Sequence, residues 1–193
     1  MSIKVLYGCM FSGKTTSLIA ECEELACRGL DIQAYKPSVD KRYSEQFIVS
    51  HNGESIKAIT IDSLLDIPTP VGANRVIGID EVHFFDSQDR ERQIEYIVTL
   101  AQRNLIIISG LDYDYRGEAF RITSELIEAS HEAMHMVGAC STPGCGGPAY
   151  RTAKIARESA NKRFQVGGAE IYQPKCLEHF IEHNQTRGQS AEQ

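Results

Sequence analysis

Short apolar runs alternate with amphipathic stretches from the amino terminus to about residue 138. The runs predicted to be strands are Ile3–Gly8, Asp31–Pro37, Asn74–Asp80, Asn104–Leu111 and Met134–Gly138. Apolar residues recur at helical spacing in the stretches Lys14–Gly29, Ser87–Arg103 and Ala119–Ala129, which are predicted to be helices. Such alternation indicates an α/β fold with a mostly parallel sheet and helices on both faces.

Two segments depart from this alternation. The polar stretch Ser38–Asn52 has few core signals and is predicted to be a loop or a mobile flap. From residue 139 onward the chain carries many glycines and no long apolar run. A segment of this kind does not easily build its own core, so another interaction must hold it. We therefore predict two domains, residues 1–138 and residues 139–193.

Composition narrows the functional classes. The 193 residues are 42% hydrophobic and carry a net charge of −6, with no block of Lys and Arg. We therefore expect no stable binding to nucleic acid, since a duplex-binding surface is basic. No apolar run approaches the length of a transmembrane helix and no signal peptide is visible, so we expect a cytoplasmic protein that does not bind membranes.

Disulfides are unusual in that compartment, so we expect the six cysteines to be packed as thiols or to bind metal. Cys22 and Cys27 lie on the first predicted helix, where we expect both to be buried as small hydrophobic residues. Cys9 is expected to fill space rather than to act as a redox switch.

The segment Gly8–Thr15, GCMFSGKT, matches the phosphate-loop pattern G-x-x-x-x-G-K-[ST] at each fixed position. Gly8 and Gly13 let the backbone turn around an anion, Lys14 reaches the β- and γ-phosphates of a nucleotide, and the Thr15 hydroxyl ligates Mg²⁺. A predicted strand precedes the loop and a predicted helix follows it, so the loop lies at a helix N-terminus that favours negative charge.

A second acidic element fits the same site. The strand Val76–Ile79 ends in Asp80 and Glu81, the Walker-B arrangement. Asp80 is predicted to hold Mg²⁺ together with Thr15. Glu81 is predicted to accept a proton from an attacking hydroxyl, since a carboxylate placed within hydrogen-bond reach of a nucleophile can act as a general base.

Four residues in the second domain have metal-ligand spacing. Cys140 and Cys145 form one pair, and Cys176 and His179 form the other. Three thiolates and one imidazole make a closed tetrahedral set for structural Zn²⁺. His183, one helical turn beyond His179, is the alternative ligand. His131 and His135 are also four residues apart, but without a nearby carboxylate pattern they are expected to be surface or core histidines.

The residues between the two pairs form a loop that zinc would close at its base. We call this loop, Tyr150–Lys175, the lasso segment. A loop held in this way can cover a ligand. The backbone of Val166–Gly168 offers amides and carbonyls for reading a base, and Tyr172 offers a ring and a hydroxyl.

Together these segments resemble the thymidine kinases that carry a zinc-held lasso. The matching segments are Cys9–Thr15, Lys36–Tyr43, Ile77–Phe85, Gly110–Phe120, the Cys140/Cys145 pair and Gly167–His179. The resemblance implies a RecA-like P-loop NTPase domain with a small C-terminal zinc-binding lasso domain, often assembled as a homotetramer. It also implies transfer of the ATP γ-phosphoryl group to the 5′-hydroxyl of thymidine, with Mg²⁺ as cofactor and Glu81 as the catalytic base.

The resemblance also implies two sets of binding residues. The nucleotide-binding set is Gly8, Cys9, Met10, Phe11, Ser12, Gly13, Lys14, Thr15, Asp80, Glu81, Val82 and His83. The nucleoside-binding set is Met10, Arg42, Phe84, Tyr115, Phe120, Val166, Gly167 and Tyr172.

Several positions differ from the family pattern. His83 stands where a Gln is usual, Val82 replaces a smaller residue, and Tyr115 replaces a Phe. A ring hydroxyl in a base pocket needs a hydrogen-bond partner. The expected substrate is therefore thymidine or a close pyrimidine deoxynucleoside such as deoxyuridine.

Two other functions remain open at this level. One is a RecA-like ATPase that couples hydrolysis to nucleic acid, against which the acidic pI of about 5.5 argues. The other is a non-catalytic zinc module that binds a partner through residues 139–193. Formation of ADP that depends on thymidine would separate all three.

Overall fold

The computed structural model describes residues 2–42, 44–69, 74–156 and 166–190, with side chains to residue 186. Two predictions fall partly outside these ranges. Tyr43, the last residue of the matching segment Lys36–Tyr43, lies outside these ranges, and so do residues 157–165 of the lasso segment.

The helices and strands follow the order in which the hydrophobic pattern places them. The helices are α1 (Lys14–Cys27), α2 (Arg90–Ala101), α3 (Arg121–Ala129) and α4 (Leu177–Ser190). The strands are β1 (Ile3–Tyr7), β2 (Asp31–Pro37), β3 (Phe47–Val49), β4 (Ser55–Ile61), β5 (Arg75–Ile79), β6 (Leu105–Gly110), β7 (Glu132–His135), β8 (Gly138–Ala139), β9 (Pro148–Ala149), β10 (Arg151–Lys154) and β11 (Tyr172–Lys175).

Most predicted elements are confirmed to within a few residues, and two predictions are wrong. The predicted flap Ser38–Asn52 contains β3, which pairs antiparallel with β4. In β3 only Ile48 is fully buried, so a three-residue strand leaves almost no pattern in the sequence. The predicted strand Met134–Gly138 is two strands, β7 and β8, which belong to different sheets. Five of these helices and strands have no counterpart among the predicted ones: β4, β9, β10, β11 and α4.

Seven strands form the main sheet in the order β3-β4-β2-β5-β6-β1-β7. All of its neighbours pair in parallel except β3 with β4, which confirms the predicted mostly parallel α/β fold. Strand β6 lies between β1, which leads into the phosphate loop, and β5, which ends at the acidic pair. The carboxyl ends of all three strands therefore meet at one edge of the sheet.

Both faces of the sheet are covered. Helices α2 and α3 pack on one face through Ile97, Leu100, Ile122 and Leu126. Helix α1 packs on the other through Leu18, Ile19 and Cys22. Successive strand residues alternate between the two cores, because side chains of a strand point to opposite faces. Cys22 is buried as predicted, whereas Cys27 is exposed because it lies at the last, solvent-facing position of α1.

The remaining strands form two small antiparallel sheets, β8-β9 and β10-β11. Helix α4 follows β11 and contacts both strands of the second sheet. Within the part of the chain described here, no helix is both long and apolar enough to cross a membrane.

Candidate active site

The phosphate loop turns sharply between β1 and α1. Gly8 has a φ of +142°, and a Cβ atom there would lie 2.1 Å from the Met136 carbonyl oxygen, so no larger residue fits. Gly13 caps α1 with a φ of +85°, in the left-handed region that favours glycine. The loop therefore holds its shape through the two glycines that the pattern requires, and it delivers the first residues of α1 to the carboxyl edge of the sheet.

Lys14 is buried within this loop. Its ammonium donates hydrogen bonds to the Cys9 carbonyl oxygen at 2.6 Å and to the Ser12 hydroxyl at 3.3 Å. Ser12 in turn donates to the same carbonyl at 2.8 Å. The loop thus combines a buried cation with the N-terminus of a 14-residue helix, an arrangement that attracts anions.

The acidic pair lies opposite the loop, at the end of β5. The Thr15 hydroxyl is 3.3 Å from each carboxylate oxygen of Asp80, and Ser109 on β6 also bonds to that carboxylate. Burial raises the pKa of Asp80, and the neighbouring Glu81 carboxylate raises it further. A buried carboxylate beside a threonine hydroxyl is the oxygen-rich environment that Mg²⁺ binds, so the chemistry of these residues fits that ion.

Glu81 has a backbone conformation that is rare for its type, with φ 53° and ψ 43°. Strain of this kind persists only where the surrounding structure enforces it, and it is common at functional positions. Although burial alone would raise the pKa of the Glu81 carboxyl, the nearby Arg42 guanidinium and Lys14 ammonium lower it below the ordinary value. Glu81 is therefore ionised and able to accept a proton.

Arg42 connects Glu81 to two other segments. Its guanidinium bonds to the Glu81 carboxylate and forms a two-pronged ion pair with Asp40, with Nε–Oδ1 2.6 Å and Nη2–Oδ2 2.9 Å. It also donates to the Gly167 carbonyl oxygen of the lasso segment at 3.4 Å. Asp40 itself is buried and lies 3.9 Å from the buried Lys36 ammonium. One cation thus joins three segments that are distant in sequence.

A cavity of about 430 Å³ lies beside Glu81, and we call it the aromatic cavity. All eight residues of the predicted nucleoside-binding set line it: Met10, Arg42, Phe84, Tyr115, Phe120, Val166, Gly167 and Tyr172. The sequence analysis did not single out four further lining residues, Leu111, Tyr113, Asp114 and Thr152. The first three follow β6 in a segment that resembles the family, and their position in that segment could have identified them. No sequence pattern marks Thr152, which lies on β10.

The Tyr115 hydroxyl has the hydrogen-bond partner that the sequence analysis requires for it. Arg116 Nε donates a hydrogen bond to the Tyr115 hydroxyl oxygen at 3.1 Å. The ring therefore lines the aromatic cavity with its hydroxyl bonded to a residue of its own loop.

A second cavity, of about 730 Å³, lies over the phosphate loop, and we call it the loop cavity. Six residues of the predicted nucleotide-binding set line it: Met10, Phe11, Gly13, Lys14, Thr15 and Glu81. Thr16, His51 and Asn52 also line it and were not predicted. His51 and Asn52 lie in the turn between β3 and β4, and the His51 ring packs against Phe11 with ring centroids 4.7 Å apart.

The two cavities share a border. Met10, Arg42, Glu81 and Leu111 line both of them. A ligand in the aromatic cavity and an anion over the phosphate loop would therefore meet beside the Glu81 carboxylate. This junction places the predicted base where two ligands can react.

Other members of the nucleotide-binding set lie elsewhere. Val82 is fully buried in the core of the sheet face that carries α2 and α3. Cys9 is buried behind the loop, where its thiol donates to the Ala149 carbonyl oxygen at 3.3 Å, in agreement with a space-filling role. Neither side chain borders the loop cavity.

His83 lines the aromatic cavity rather than the loop cavity. Its Nδ1 accepts a hydrogen bond from the Leu111 amide at 3.2 Å and lies 3.5 Å from a Glu81 carboxylate oxygen. Burial lowers the pKa of His83 to about 4, against the attraction of Glu81. The imidazole is therefore neutral at physiological pH, with its proton on Nε2.

The predicted metal ligands come together at the base of the lasso segment. One ligand atom from each of Cys140, Cys145, Cys176 and His179 lies within 4.8 Å of the others. The Cys145 and Cys176 sulfur atoms are 3.9 Å apart, and the Cys140 sulfur is 3.7 Å from His179 Nδ1. Tetrahedral Zn²⁺ with Zn–S bonds near 2.3 Å requires sulfur atoms about 3.8 Å apart, so the cluster fits that ion.

The protonation of Cys140 is consistent with metal binding, whereas at Cys145 the hydrogen bond from the Gly147 backbone is outweighed by the neighbouring thiols, which raise the pKa. Burial raises the pKa of the Cys140 thiol, but hydrogen bonds from the Cys176 and Thr142 backbone outweigh it and lower the value to about 6. A thiolate is the form that binds a metal.

The other histidines lie outside this cluster. His183, the alternative ligand, donates from Nε2 to the Lys154 carbonyl oxygen at 2.9 Å, which ties α4 to β10. His131 accepts from the Ile3 amide, and His135 stacks on Tyr7, so both have the structural roles expected for them.

Comparison with known protein families agrees with this geometry. A family model described as thymidine kinase matches residues 1–180, which is most of the chain and includes the residues of both cavities and the four predicted metal ligands.

Proposed function

The chain belongs to the thymidine kinase family, whose reaction is the ATP-dependent phosphorylation of thymidine, and from that premise we propose how its residues carry out the reaction. Thymidine occupies the aromatic cavity and the ATP phosphates occupy the loop cavity. The observation that carries this proposal is the shared border, at which Glu81 and Arg42 line both cavities.

At this border Glu81 acts as the general base. It takes the proton of the 5′-hydroxyl, and the 5′-oxygen forms a bond to the γ-phosphorus while the bond from that phosphorus to the β–γ bridging oxygen breaks. ADP leaves with the bridging oxygen. Such transfers depend mainly on positioning and on neutralising charge.

Lys14 and Arg42 neutralise the charge that develops on the transferred group. Lys14 reaches it from the phosphate loop, and Arg42 reaches it from the opposite side, where Asp40 holds the guanidinium. Thr15 and Asp80 would hold Mg²⁺, which neutralises the phosphate oxygens when bound. His51 and Asn52, in the β3–β4 turn, also border the loop cavity and would bind the phosphates there.

The base of the nucleoside is recognised by aromatic rings and by backbone groups. Phe84, Tyr115 and Phe120 offer ring surfaces, and Gly167 brings the lasso backbone to the cavity. The Cys140, Cys145, Cys176 and His179 cluster would hold structural Zn²⁺ at the base of the lasso segment. Residues 139–193 then form the lasso domain, with β8 spanning its boundary.

The test is a panel of deoxynucleosides with ATP and Mg²⁺, scored for monophosphate product and for ADP. We expect ADP formation to depend on thymidine. The ratio of kcat/KM for deoxyuridine to that for thymidine should change in Tyr115→Phe if the hydroxyl shapes the base site. ATP hydrolysis stimulated by single-stranded DNA in the absence of nucleoside would contradict the proposal.

Assembly has its own test. The family resemblance predicts a homotetramer, and light scattering of the purified protein with and without ATP measures the mass directly. A single-chain mass of 21.5 kDa at micromolar concentration would contradict that prediction.

A further inference from the structure

Two cations of β10 contact aromatic rings that line the cavity. The Arg151 guanidinium carbon lies 3.9 Å from the centroid of the Tyr113 ring, and the Lys154 ammonium lies 5.2 Å from that of Tyr115. The first distance is that of direct stacking, in which a cation is attracted by the negative face of the ring. The Arg151–Tyr113 contact is therefore the closer of the two links between β10 and the loop that follows β6.

Arg151 is fixed at both ends. Its backbone pairs with Lys175 in the β10–β11 hairpin, next to the metal-ligating Cys176. Its guanidinium donates from Nη1 to the Tyr150 carbonyl oxygen at 2.9 Å, and the side chain is half-buried. A guanidinium held in this way loses little further freedom when it stacks on a ring.

Tyr113 lines the aromatic cavity, whereas Arg151 lies outside the residues that border it. Arg151 therefore contacts the Tyr113 ring without itself bordering the cavity. Tyr113 is also held by an isolated antiparallel bridge to Ala119, so its backbone is fixed and its ring is the movable part.

We propose that Arg151 is a positioning residue for thymidine, which it holds in place by fixing the Tyr113 ring against the aromatic cavity. The inference rests on the proposed assignment of the nucleoside to that cavity. It gives the hairpin β10–β11 a role in substrate binding beyond its place beside the metal cluster. Without the guanidinium, the ring has to be ordered each time a nucleoside binds, which weakens binding and leaves the chemical step unchanged.

The experiment compares substitutions that keep or remove the cation and the ring. Arg151→Gln should raise the KM for thymidine about 3- to 30-fold, the range of a partly desolvated cation–ring contact, and leave kcat and the KM for ATP within about twofold. Arg151→Lys should retain most of the thymidine affinity. Tyr113→Phe should behave as wild type, and Tyr113→Leu should raise the KM for thymidine at least as much as Arg151→Gln, because it removes the ring itself.

The double variant Arg151→Gln/Tyr113→Leu separates a direct partnership from two independent effects. Its KM for thymidine should be no higher than that of the worse single variant, because the two residues act through one contact. Arg28→Gln, at the exposed C-terminal end of α1, is the matched control and should leave both KM values unchanged.

Three results would overturn the inference. One is an unchanged KM for thymidine in Arg151→Gln while Phe84→Ala, a variant of the cavity lining, raises it. Another is equal loss of ATP and thymidine affinity, which would indicate a general structural effect. If neither Arg151→Gln nor Phe84→Ala changes the KM for thymidine, the assignment of the nucleoside to this cavity fails first.

Discussion

Two regions of the molecule are held together in different ways. One is the crevice at the edge of the sheet, which contains the two cavities, and the other is the lasso region, which consists of β8–β11 and α4. In the crevice, Lys14, Asp80 and His83 are buried at the edge of a sheet whose side chains fill a core on each face. In the lasso region, the chain is held by two-stranded sheets and by the four predicted metal ligands, three of which are only half-buried. In the function proposed above, reacting groups are thus placed by a rigid core, whereas the cover over the nucleoside depends on a metal cluster.

This contrast predicts that substitutions in the crevice lower turnover and that substitutions in the lasso region weaken nucleoside binding. The largest effect is expected in the crevice. Glu81→Gln removes the proposed base without changing its size, so kcat should fall by about 10²–10⁴-fold, while ATP affinity is retained. Steady-state kinetics and nucleotide-binding calorimetry measure the two quantities.

Glu24→Gln, on the exposed surface of α1, is the matched control and should have normal kcat. Normal turnover in Glu81→Gln would show that another group takes the proton.

Removing a metal ligand should produce the opposite pattern. Cys176→Ser should abolish bound zinc and raise the KM for thymidine about 10–100-fold, because an unanchored lasso segment has to be ordered on binding. The KM for ATP should change little. Metal content by mass spectrometry and both KM values provide the check.

The matched control is Cys27→Ser, since Cys27 is an exposed cysteine outside the cluster. A folded wild-type protein that contains no zinc, or a Cys176→Ser variant in which both KM values rise together, would remove the contrast between the regions.

A smaller effect is expected where the two regions meet. Asp40→Asn weakens the ion pair that orients Arg42, and loss of a charged hydrogen bond of this kind costs about 1.5–3 kcal/mol. We expect kcat to fall about tenfold or more with little change in the KM for thymidine. Combined with Arg42→Lys, the two effects should be much less than additive, because Asp40 acts through Arg42.

Asp31→Asn, in an exposed pair with Arg75, serves as the control. Additive losses in the double variant would show that Asp40 acts independently of Arg42.

The smallest effect concerns stability and pH. The pKa of His83 is lowered to about 4 in the folded protein, so the unfolded chain takes up this proton below about pH 6.5 and the folded chain does not. Stability due to this group is therefore present above pH 6.5 and is lost as the pH falls toward 4. Between pH 7 and pH 5 the wild type should lose about 2 kcal/mol more than His83→Gln, measured by urea unfolding. Equal losses would mean that His83 is solvated or charged when folded.

Local patterns were enough to find the residues that meet in the crevice. The phosphate loop and the acidic strand end each lie within a short stretch with fixed spacing, the predicted metal ligands form two short pairs, and the hydrophobic alternation correctly placed four strands and three helices. The remaining features depend on pairing between distant residues. Strand β3 forms because it pairs with β4. Thr152 lies at the site because its hydroxyl accepts a hydrogen bond from the Met10 amide, 142 positions away.

The residues of the β3–β4 turn show the same limit. His51 and Asn52 lie in a polar stretch that predicts only a loop, and their place over the phosphate loop follows from the packing of the hairpin beside β2. Likewise, the spacing of Cys176, His179 and His183 did not decide between the two histidines. The orientation of α4 decides it, because it turns His183 toward the Lys154 carbonyl.

The interior strand β6 tolerates changes of side chain better than changes of length. Ile106 and Ile108 enter one core and Ile107 the other, and Leu111 follows at the border of both cavities. A one-residue insertion or deletion within β6 would exchange the two sets of side chains and turn Leu111 away from the crevice. Hydrophobic substitutions at these positions are far less disruptive. The fold therefore restricts the number of residues in β6 more than it restricts which hydrophobic residues occupy the strand.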